Sequence, residues 1–466
     1  MSIFLIFNCK KIFERFNIET IADICRRQGI FLLGFVLLQY SMAAMSAGIA
    51  IMEQSVKELG QAFSGAPTNI SDGSMVFFNP AAMSHVQSRL VTSAGYISVP
   101  FAQFHNQSSA TVSGAPLRGG DGGDFVSPSF IPNFYYVHPL TNRITFGMGF
   151  NVPFAARNSY HSDWKGRYQA IDSEVTTYNF NPSLSLKVTE KLSLGVGFNV
   201  QYLTSKFTNA IDLGTGCVGR LGTSICTPLG LSPQQSDGHI SLKGDSVGFG
   251  YNVGAFYTLN SKIHLGASYR SRIVHDIDNH ANFTIPKNAA ILTLSNSFVD
   301  TGAQTSVTLP DNVLFGFSYR INPRWAFSAD ALWTHWSLIR ELRTDFKSNQ
   351  SDDVQPLNWR DTWRYGGGVN YFTEDGKWIF RSGFAYDETP IPNPANRSAR
   401  LPDSNRYWLS VGVTYAIRQN ITLHGAYAHL FFDNPTINRR GTTGELLAGK
   451  YTEQADIIGL QLDWRF

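Results

Sequence analysis

The chain has 466 residues, of which 13% are aromatic and 41 are glycine, whereas only 16% are charged. This charged fraction is below the roughly 25% usual for soluble domains. A mean hydropathy of -0.12 excludes a bundle of transmembrane helices, and a formal net charge of +3 gives no indication of a nucleic-acid partner. These values remain compatible with a membrane barrel that has a polar interior.

The amino terminus carries the pattern of a secretory signal peptide. Arg26 and Arg27 precede an apolar run over residues 30–38 that is too short to span a bilayer, and a small-residue cleavage site follows. We predict cleavage after Ser46, which makes residues 1–46 a leader. The stretch before Arg26 is longer than a leader needs, so we also expect the true start to lie further along the chain.

The next segment, residues 47–88, does not alternate as a strand does. Residues 49–59 have helical spacing. Asn79, Pro80 and Ala81 mark the start of a second helix, because asparagine caps a helix and proline suits its first turn. A largely uncharged segment ahead of a barrel fits the lumen, so we predict a hatch with short helices in which Asn79, Pro80 and Ala81 belong to the gate. The alternative is a periplasmic helix with no part in transport.

From residue 89 onward, runs of strand character are joined by connections of two kinds. Six are short turns, at residues 138–143, 188–191, 259–262, 321–324, 373–377 and 417–420. Seven are long polar stretches, near residues 103–124, 153–171, 209–243, 276–303, 344–358, 388–404 and 433–450. Short turns at one end and long loops at the other are typical of outer-membrane barrels. We therefore predict an all-β membrane protein in which residues 89–466 form a 14-stranded antiparallel transmembrane β-barrel.

The end of the chain alternates most regularly. Its apolar face consists of Ile458, Leu460, Leu462, Trp464 and Phe466, against a polar face of Gly459, Gln461, Asp463 and Arg465. A strand has period two, so one side is apolar and the other polar. We predict a bacterial outer-membrane location, because an edge strand this apolar would cause aggregation in a soluble domain. The alternative is a buried final strand of a soluble domain.

Two of the four cysteines, Cys9 and Cys25, lie in the leader, which leaves Cys217 and Cys226 in the mature chain. Two cysteines this close in an exported protein predict a disulfide that closes one loop. A metal site is the alternative, but it would need more ligands than the nearby His239.

Nothing in the sequence indicates catalysis. An outer-membrane phospholipase would need a serine–histidine pair, and the histidines in strands have no serine motif around them. His424 and His429 point to opposite strand faces, so they cannot share a metal ion. The glycine-rich run over residues 119–124 predicts a flexible loop, with a calcium site as its alternative. We predict a protein that is not an enzyme and has no metal or cofactor. A general diffusion porin and an adhesive barrel are the other classes.

Several motifs follow one another along the chain. They are Ala47-Gly48, Leu59 to Gly65, Phe78 to Ala81, Trp164 to Tyr168, Asn181 to Ser183, Leu194 to Asn199, Phe380 to Pro390 and Pro402 to Ser410. With these motifs the mature chain resembles, over essentially its whole length, the FadL/TodX family of outer-membrane transporters of long-chain fatty acids and other hydrophobic compounds. The resemblance implies a monomeric barrel with an amino-terminal hatch, and diffusive transport without ATP or a bound metal.

The resemblance also implies a route. Ligand binds an apolar groove among the extracellular loops, passes to an interior pocket, and leaves sideways into lipid at an inward kink of the third strand. Here that strand, near residues 143–152, meets Pro153 and Phe154. Proline lacks the N–H that would pair with a neighbouring strand, so we predict that Pro153 and Phe154 form the lateral exit. An ordinary proline at the end of a strand is the alternative.

A carboxylate ligand requires a positive partner in a pocket of low dielectric. In the strand predicted from Trp359, we expect Trp359, Trp363 and Tyr365 on the outer face. Arg360 and Arg364 should then point into the lumen. Arg360 matches a lumen-facing basic residue that the family associates with ligand binding. We predict Arg360 and Arg364 as ligand contacts, with purely structural ion pairs as the alternative.

The predicted ligand is a long-chain fatty acid. A second basic position of the family is Asn209 in this chain, with Lys206 nearby. This departure keeps aromatic hydrocarbons and other neutral hydrophobic compounds as alternatives. The other expected partner is outer-membrane lipid, and we expect a monomer that binds no nucleic acid.

Overall fold

The structure, a computed structural model, describes residues 48–466, so the predicted leader over residues 1–46 lies outside the described residues. Within the described part, 20 β segments form one sheet, which closes because its first and last segments pair with each other. The segments are β1 (Leu90–Asn106), β2 (Ser129–Pro139), β3 (Ile144–Asn151), β4 (Ala155–Ser159), β5 (Asp172–Lys187), β6 (Leu192–Asp212), β7 (Asp237–Asn260), β8 (Ile263–Arg270), β9 (Ile273–Thr284), β10 (Thr301–Leu309), β11 (Asn312–Arg320), β12 (Trp325–Thr334), β13 (Glu341–Phe346), β14 (Asp353–Pro356), β15 (Thr362–Phe372), β16 (Trp378–Asp387), β17 (Arg406–Arg418), β18 (Ile421–Phe432), β19 (Thr436–Arg440) and β20 (Leu446–Arg465).

These segments build a closed antiparallel barrel of 14 strands, which confirms the predicted fold. Some strands are split into two segments, namely β3–β4, β8–β9, β10–β11, β12–β13, β14–β15 and β18–β19. Other strands run further than predicted, because β6 continues to Asp212 and β7 begins at Asp237, inside the predicted loop over residues 209–243. Both faces of such a hairpin meet water beyond the membrane, so the sequence there lacks the alternation that marks a strand.

The two faces of the barrel wall differ in polarity, as β6 illustrates. The side chains of Leu194, Val196 and Phe198 are 45%, 51% and 49% exposed on the outer face. Asn199 and Gln201 are buried on the opposite face. An apolar exterior and a polar interior are what a barrel in lipid requires, since its outer band contacts hydrocarbon.

Residues 48–88, which we call the hatch, lie inside the barrel. The described hatch helices are Val56–Leu59, Ala66–Thr68, Met75–Phe78 and Pro80–His85. The first packs against β1, β17, β18 and β20, the second against β8 and β11, and the last against β3, β5, β6 and β7. The hatch therefore touches the wall on all sides. Over the described residues, helices that combine enough length and apolar character to traverse a bilayer are absent.

The start of the hatch is extended rather than helical. The spacing over residues 49–59 predicts one helix, but the helix covers only Val56–Leu59, and Ala50 forms an antiparallel bridge with Phe154. The predicted helix is therefore wrong over its first half. A short helix is marginal by itself, and here pairing with the barrel wall overrides the local preference.

Candidate functional site

The third barrel strand is interrupted between β3 and β4, at residues 152–154. Below the interruption, β3 pairs with β2, from Pro139 opposite Thr145 to Phe134 opposite Phe150. Above it, β4 pairs with β5 and, in the described sheet, not with β2. The wall therefore loses its ladder of backbone hydrogen bonds between the second and third strands at this height.

The first residues of the hatch lie against this interruption. The Ile51 N–H donates to the Pro153 carbonyl at 2.8 Å, and the Ala155 N–H donates to the Ile49 carbonyl at 2.9 Å. The Gln54 amide donates to the Val152 carbonyl at 3.0 Å. Residues 49–51 thus act as a short strand that pairs with the kink. Pro153 and Phe154 lie at the kink, and their role as a lateral exit stays a prediction.

Asn79 joins the last hatch helix to the wall. Its side-chain oxygen accepts from the Ala81 N–H at 3.1 Å, which is an N-cap with Pro80 in the first turn. Its amide group donates to the carbonyls of Pro67, at 2.8 Å, and Ala255, at 3.0 Å. One side chain therefore satisfies the helix end and also binds the hatch to β7. The gating role of Asn79, Pro80 and Ala81 stays a prediction.

Arg364 also joins the hatch to the wall. Its side chain is only 2% exposed, and its Nη1 lies 3.2 Å from the Asp330 carboxylate on the neighbouring strand. Its Nη2 donates to the Ala62 carbonyl of the hatch at 2.6 Å. Arg364 already forms an ion pair with Asp330, so in the structure this residue holds the hatch to the barrel wall. Its predicted contact with ligand is untested.

Arg360 does not share the lumenal strand face with Arg364, and this part of the prediction is wrong. Arg360 precedes β15, which begins at Thr362, and its side chain is exposed. Its backbone N–H donates to the Pro390 carbonyl at 2.9 Å. Trp359 is buried and not on the outer face. The alternation fails here because the chain leaves the strand before Thr362. Contact of Arg360 with ligand stays a prediction.

The upper lumen contains an apolar cluster close to the start of the hatch. This interior apolar cluster consists of Phe154, Leu203, Ile277, Leu309, Trp336, Ile339, Leu357, Trp359 and Ile391. Ile49 and Ala50 of the hatch pack against it. The rings of Trp336 and Trp359 are 5.2 Å apart, and the ring of Phe154 is 6.4 Å from that of Trp336. The kink, the hatch and the cluster therefore form one continuous apolar region.

Two acidic residues beside this region were not singled out from the sequence. The Asp403 carboxylate accepts hydrogen bonds from the Gly48 N–H at 3.2 Å and from the Arg406 guanidinium at 2.6 Å. The bond to Gly48 connects the start of the hatch to an extracellular loop. Glu53 is fully buried, and both of its carboxylate oxygens are without a hydrogen-bond partner in the described structure. Burial raises the pKa of Glu53 to about 7, although Arg406 opposes that effect. An acidic residue in a largely uncharged segment was the signal that could have indicated Glu53.

The extracellular loops present a second apolar surface. The helices Leu213–Leu221 and Thr223–Cys226 are joined by the disulfide between Cys217 and Cys226, whose Cα atoms are 5.9 Å apart. The disulfide packs with Leu213, Leu231, Ala289 and Leu292. Large exposed side chains surround this core, namely Leu221, Ile225, Leu229, Ile291 and Leu294. We call these five residues the loop apolar surface.

The glycine-rich loop over residues 119–124 forms an ion pair with a lysine from another loop. The Lys165 ammonium donates to the Asp121 carboxylate at 2.9 Å, and the Asn106 N–H donates to its other oxygen at 3.1 Å. Across the described residues, no three His, Cys, Asp or Glu side chains come together as a metal site would require.

A lipid-facing barrel with an internal hatch and an apolar lumenal region defines an outer-membrane transport protein for hydrophobic compounds. The chain belongs to the OMPP1/FadL/TodX family of outer membrane transport proteins, whose family model matches residues 37–466. The family is made up of transporters, and its members lie in the outer membrane.

Relatives cover most of the chain. It is 28% identical over 419 residues to the long-chain fatty acid transport protein of Shigella flexneri, covering 85% of this chain and 91% of that protein. It is 26% identical over 468 residues to outer membrane protein P1 of Haemophilus influenzae, covering 93% and 98%.

Solved structures have the same fold. A Pseudomonas aeruginosa FadL homologue has a TM-score of 0.83 at 24% identity, covering 90% of this chain and 100% of the other. The Ralstonia pickettii toluene transporter TbuX has a TM-score of 0.59 at 18% identity, covering 86% and 96%.

Proposed function

We propose that this protein carries long-chain fatty acids across the outer membrane by diffusion, through a barrel gated by its hatch, and releases them sideways into the membrane. The observation that carries the proposal is the pairing of residues 49–51 with the interrupted third strand. The same residues contact the interior apolar cluster. A ligand that enters this cluster must displace them, and their displacement removes what fills the interruption.

The loop apolar surface is the proposed first binding site. Exposed apolar side chains in a group are unusual on a surface that meets water, and such groups mark interaction sites. Leu294 is 84% exposed, and the disulfide of Cys217 and Cys226 holds the loop opposite it. An acyl chain that binds here leaves water before it reaches the interior apolar cluster.

The proposed exit lies between β2 and β4, where the described strands do not pair. Each CH₂ group that leaves water is worth about 0.8 kcal/mol. Release of a sixteen-carbon chain into the periplasm without a carrier would therefore cost roughly 10 kcal/mol or more. Release into lipid avoids this cost, which is the physical reason for a sideways route.

Uptake of labelled oleate tests the proposal. The gene is expressed in a bacterial host that lacks its own fatty-acid transporter, and correct insertion is checked by the heat-dependent mobility of the barrel on gels. We expect oleate uptake to be restored. A barrel that is inserted but restores no uptake would overturn the proposal.

Aromatic hydrocarbons are the second candidate ligand. Two observations favour it: Asp330 already matches the charge of Arg364, and Asn209 stands where the family resemblance leads one to expect a basic residue. Competition tests whether the two ligands share a site, because excess toluene should reduce oleate uptake only if both bind the same interior region. A general porin is a weaker candidate, since the hatch occupies the lumen. A porin would give large, steady channels in planar bilayers.

A further inference from the structure

We propose that Arg400, with Ser173 and Asn209, forms a binding subsite for the carboxylate of a long-chain acid at the upper edge of the interior apolar cluster. This inference rests on the proposed transport function. It names the residue that would let the protein distinguish acids from neutral hydrocarbons.

Arg400 has only neutral hydrogen-bond partners in the described structure. Its side chain is 8% exposed. Its Nη1 donates to the Ser173 hydroxyl at 3.3 Å, and its Nη2 donates to the Asn209 side-chain oxygen at 2.9 Å. The guanidinium carbon lies 5.1 Å from the centre of the Phe207 ring. The Nε of Arg400 is buried and has no acceptor among the described residues.

Four other buried arginines also have no carboxylate within 4 Å in the described structure, namely Arg270, Arg381, Arg397 and Arg439. None of these four has a buried guanidinium nitrogen without an acceptor there. Arg364 and Arg406 do have guanidinium nitrogens without an acceptor in the described structure. However, Arg364 has Asp330 within 4 Å, and Arg406 has carboxylates equally close. Arg400 forms no ion pair within 4 Å among the described residues, and the Asp353 carboxylate acts on it only from a longer distance. A buried charge without a carboxylate in direct contact is costly, so this arginine is suited to an anion that arrives from outside.

The charge of Arg400 persists at neutral pH. Burial lowers the pKa of Arg400 to about 10, and Arg439 adds to that effect while Asp353 opposes it. A group with this pKa is almost fully protonated at pH 7. A carboxylate can therefore form a charge-assisted hydrogen bond with the Nε, and it gains a second bond if it displaces the Asn209 amide from the Nη2.

Apolar side chains begin directly beside the guanidinium. Leu401, the next residue, packs against the interior apolar cluster, and so does Val175, two residues from Ser173 on β5. Leu203 belongs to the cluster and lies on the same strand as Asn209. Six residues of strand span about 20 Å, a length that suits an acyl chain whose carboxylate lies at Arg400.

Binding of two ligands that differ only in charge tests the subsite. Labelled palmitate and its uncharged methyl ester are titrated against the full mature protein in detergent. In Arg400→Gln we expect the palmitate affinity to fall about tenfold or more, because a charge-assisted bond is lost, while the ester affinity stays within about twofold of the original. Arg400→Lys should recover part of the loss. Arg143→Gln, at an exposed turn, is the control, since it removes an arginine that takes no part in the subsite.

A second variant keeps Arg400 and changes its partner. Asn209→Asp has nearly the same shape and places a carboxylate against the guanidinium, so it should compete with palmitate and leave the ester unaffected. If unchanged protein binds palmitate and both Arg400→Gln and Asn209→Asp bind it equally well, the subsite is overturned and the transport proposal survives. If unchanged protein binds neither ligand, the transport proposal itself fails. An Arg400→Gln protein that does not fold leaves Asn209→Asp and Arg400→Lys to decide.

Discussion

Arg364 connects the hatch, the wall and a buried acid through one guanidinium group. Its bonds to Asp330 and to the Ala62 carbonyl come from different parts of the chain. The sequence could predict that Arg364 points inward, because the alternation of β15 is clear. It could not predict the partner of Arg364, because Asp330 lies on another strand. Which residues of two neighbouring strands face each other depends on the register of their pairing.

Loss of Arg364 should destabilise the barrel. Arg364→Ala leaves Asp330 buried and unpaired, which costs about 3–5 kcal/mol. Unfolding by urea in detergent measures the change. Arg364→Met combined with Asp330→Leu should cost much less, because no unpaired charge remains. The exposed turn residue Arg143 provides the control, since Arg143→Ala removes an arginine without burying a charge. Equal stability of the single and double variants would contradict the ion-pair account.

The third strand is the element on which the proposed release depends. The sequence places Pro153 and Phe154 at the end of this strand, and the structure adds what the sequence did not predict, namely that residues 49–51 pair there as an extended segment. Helical spacing is a local property, whereas pairing with the wall is a contact between distant parts of the chain. The family resemblance and the proline therefore indicated the interruption of the third strand, whereas nothing in the sequence indicated which segment pairs with it.

Restoring the third strand should block release. Pro153→Thr together with Phe154→Val supplies a backbone N–H and two residues that favour strands. We expect uptake of oleate to fall by roughly tenfold or more, because the remaining route leads through water at about 0.8 kcal/mol per CH₂. Insertion is checked by heat-dependent mobility. Pro323→Thr, in a turn, is the matched control, and undiminished uptake in the closed variant would mean that ligand passes straight through the lumen.

At the scale of the whole molecule, the number of strands was predictable and the filling of the lumen was not. Short turns and long loops differ in composition, so the sequence yields a 14-stranded barrel. The charges that meet inside come from three separate segments, as Glu53, Asp387 and the pair Asp403 and Arg406 illustrate. These residues lie far apart in the sequence and come together only in the folded barrel, so no local sequence pattern predicts their contact.

The hatch should open more readily at high pH. Burial raises the pKa of Glu53 from its ordinary value of 4.5 to about 7. Because the pKa of Glu53 is raised in the folded protein, the protonated carboxyl contributes its full stability to the folded state below about pH 4.5. This contribution is lost as the pH rises through 7, a change of about 3 kcal/mol in the free energy of unfolding. Channel openings in planar bilayers should therefore become more frequent from pH 5 to pH 8, and Glu53→Gln should remove this dependence. Glu190→Gln, at an exposed turn, is the control. An unchanged pH response in Glu53→Gln would contradict the assignment.

The seam between β1 and β20 determines the order in which the protein can assemble. Leu90 pairs with Arg465 and Asn106 with Gly449, so the barrel cannot close until the last residues of the chain have been made. The hatch is bound at this same seam, because the Gln461 side-chain oxygen accepts the Val56 N–H at 2.8 Å. Contacts between the two ends of a chain form late, since they enclose the longest loop. The hatch must therefore already be in place when the final strand closes the barrel around it.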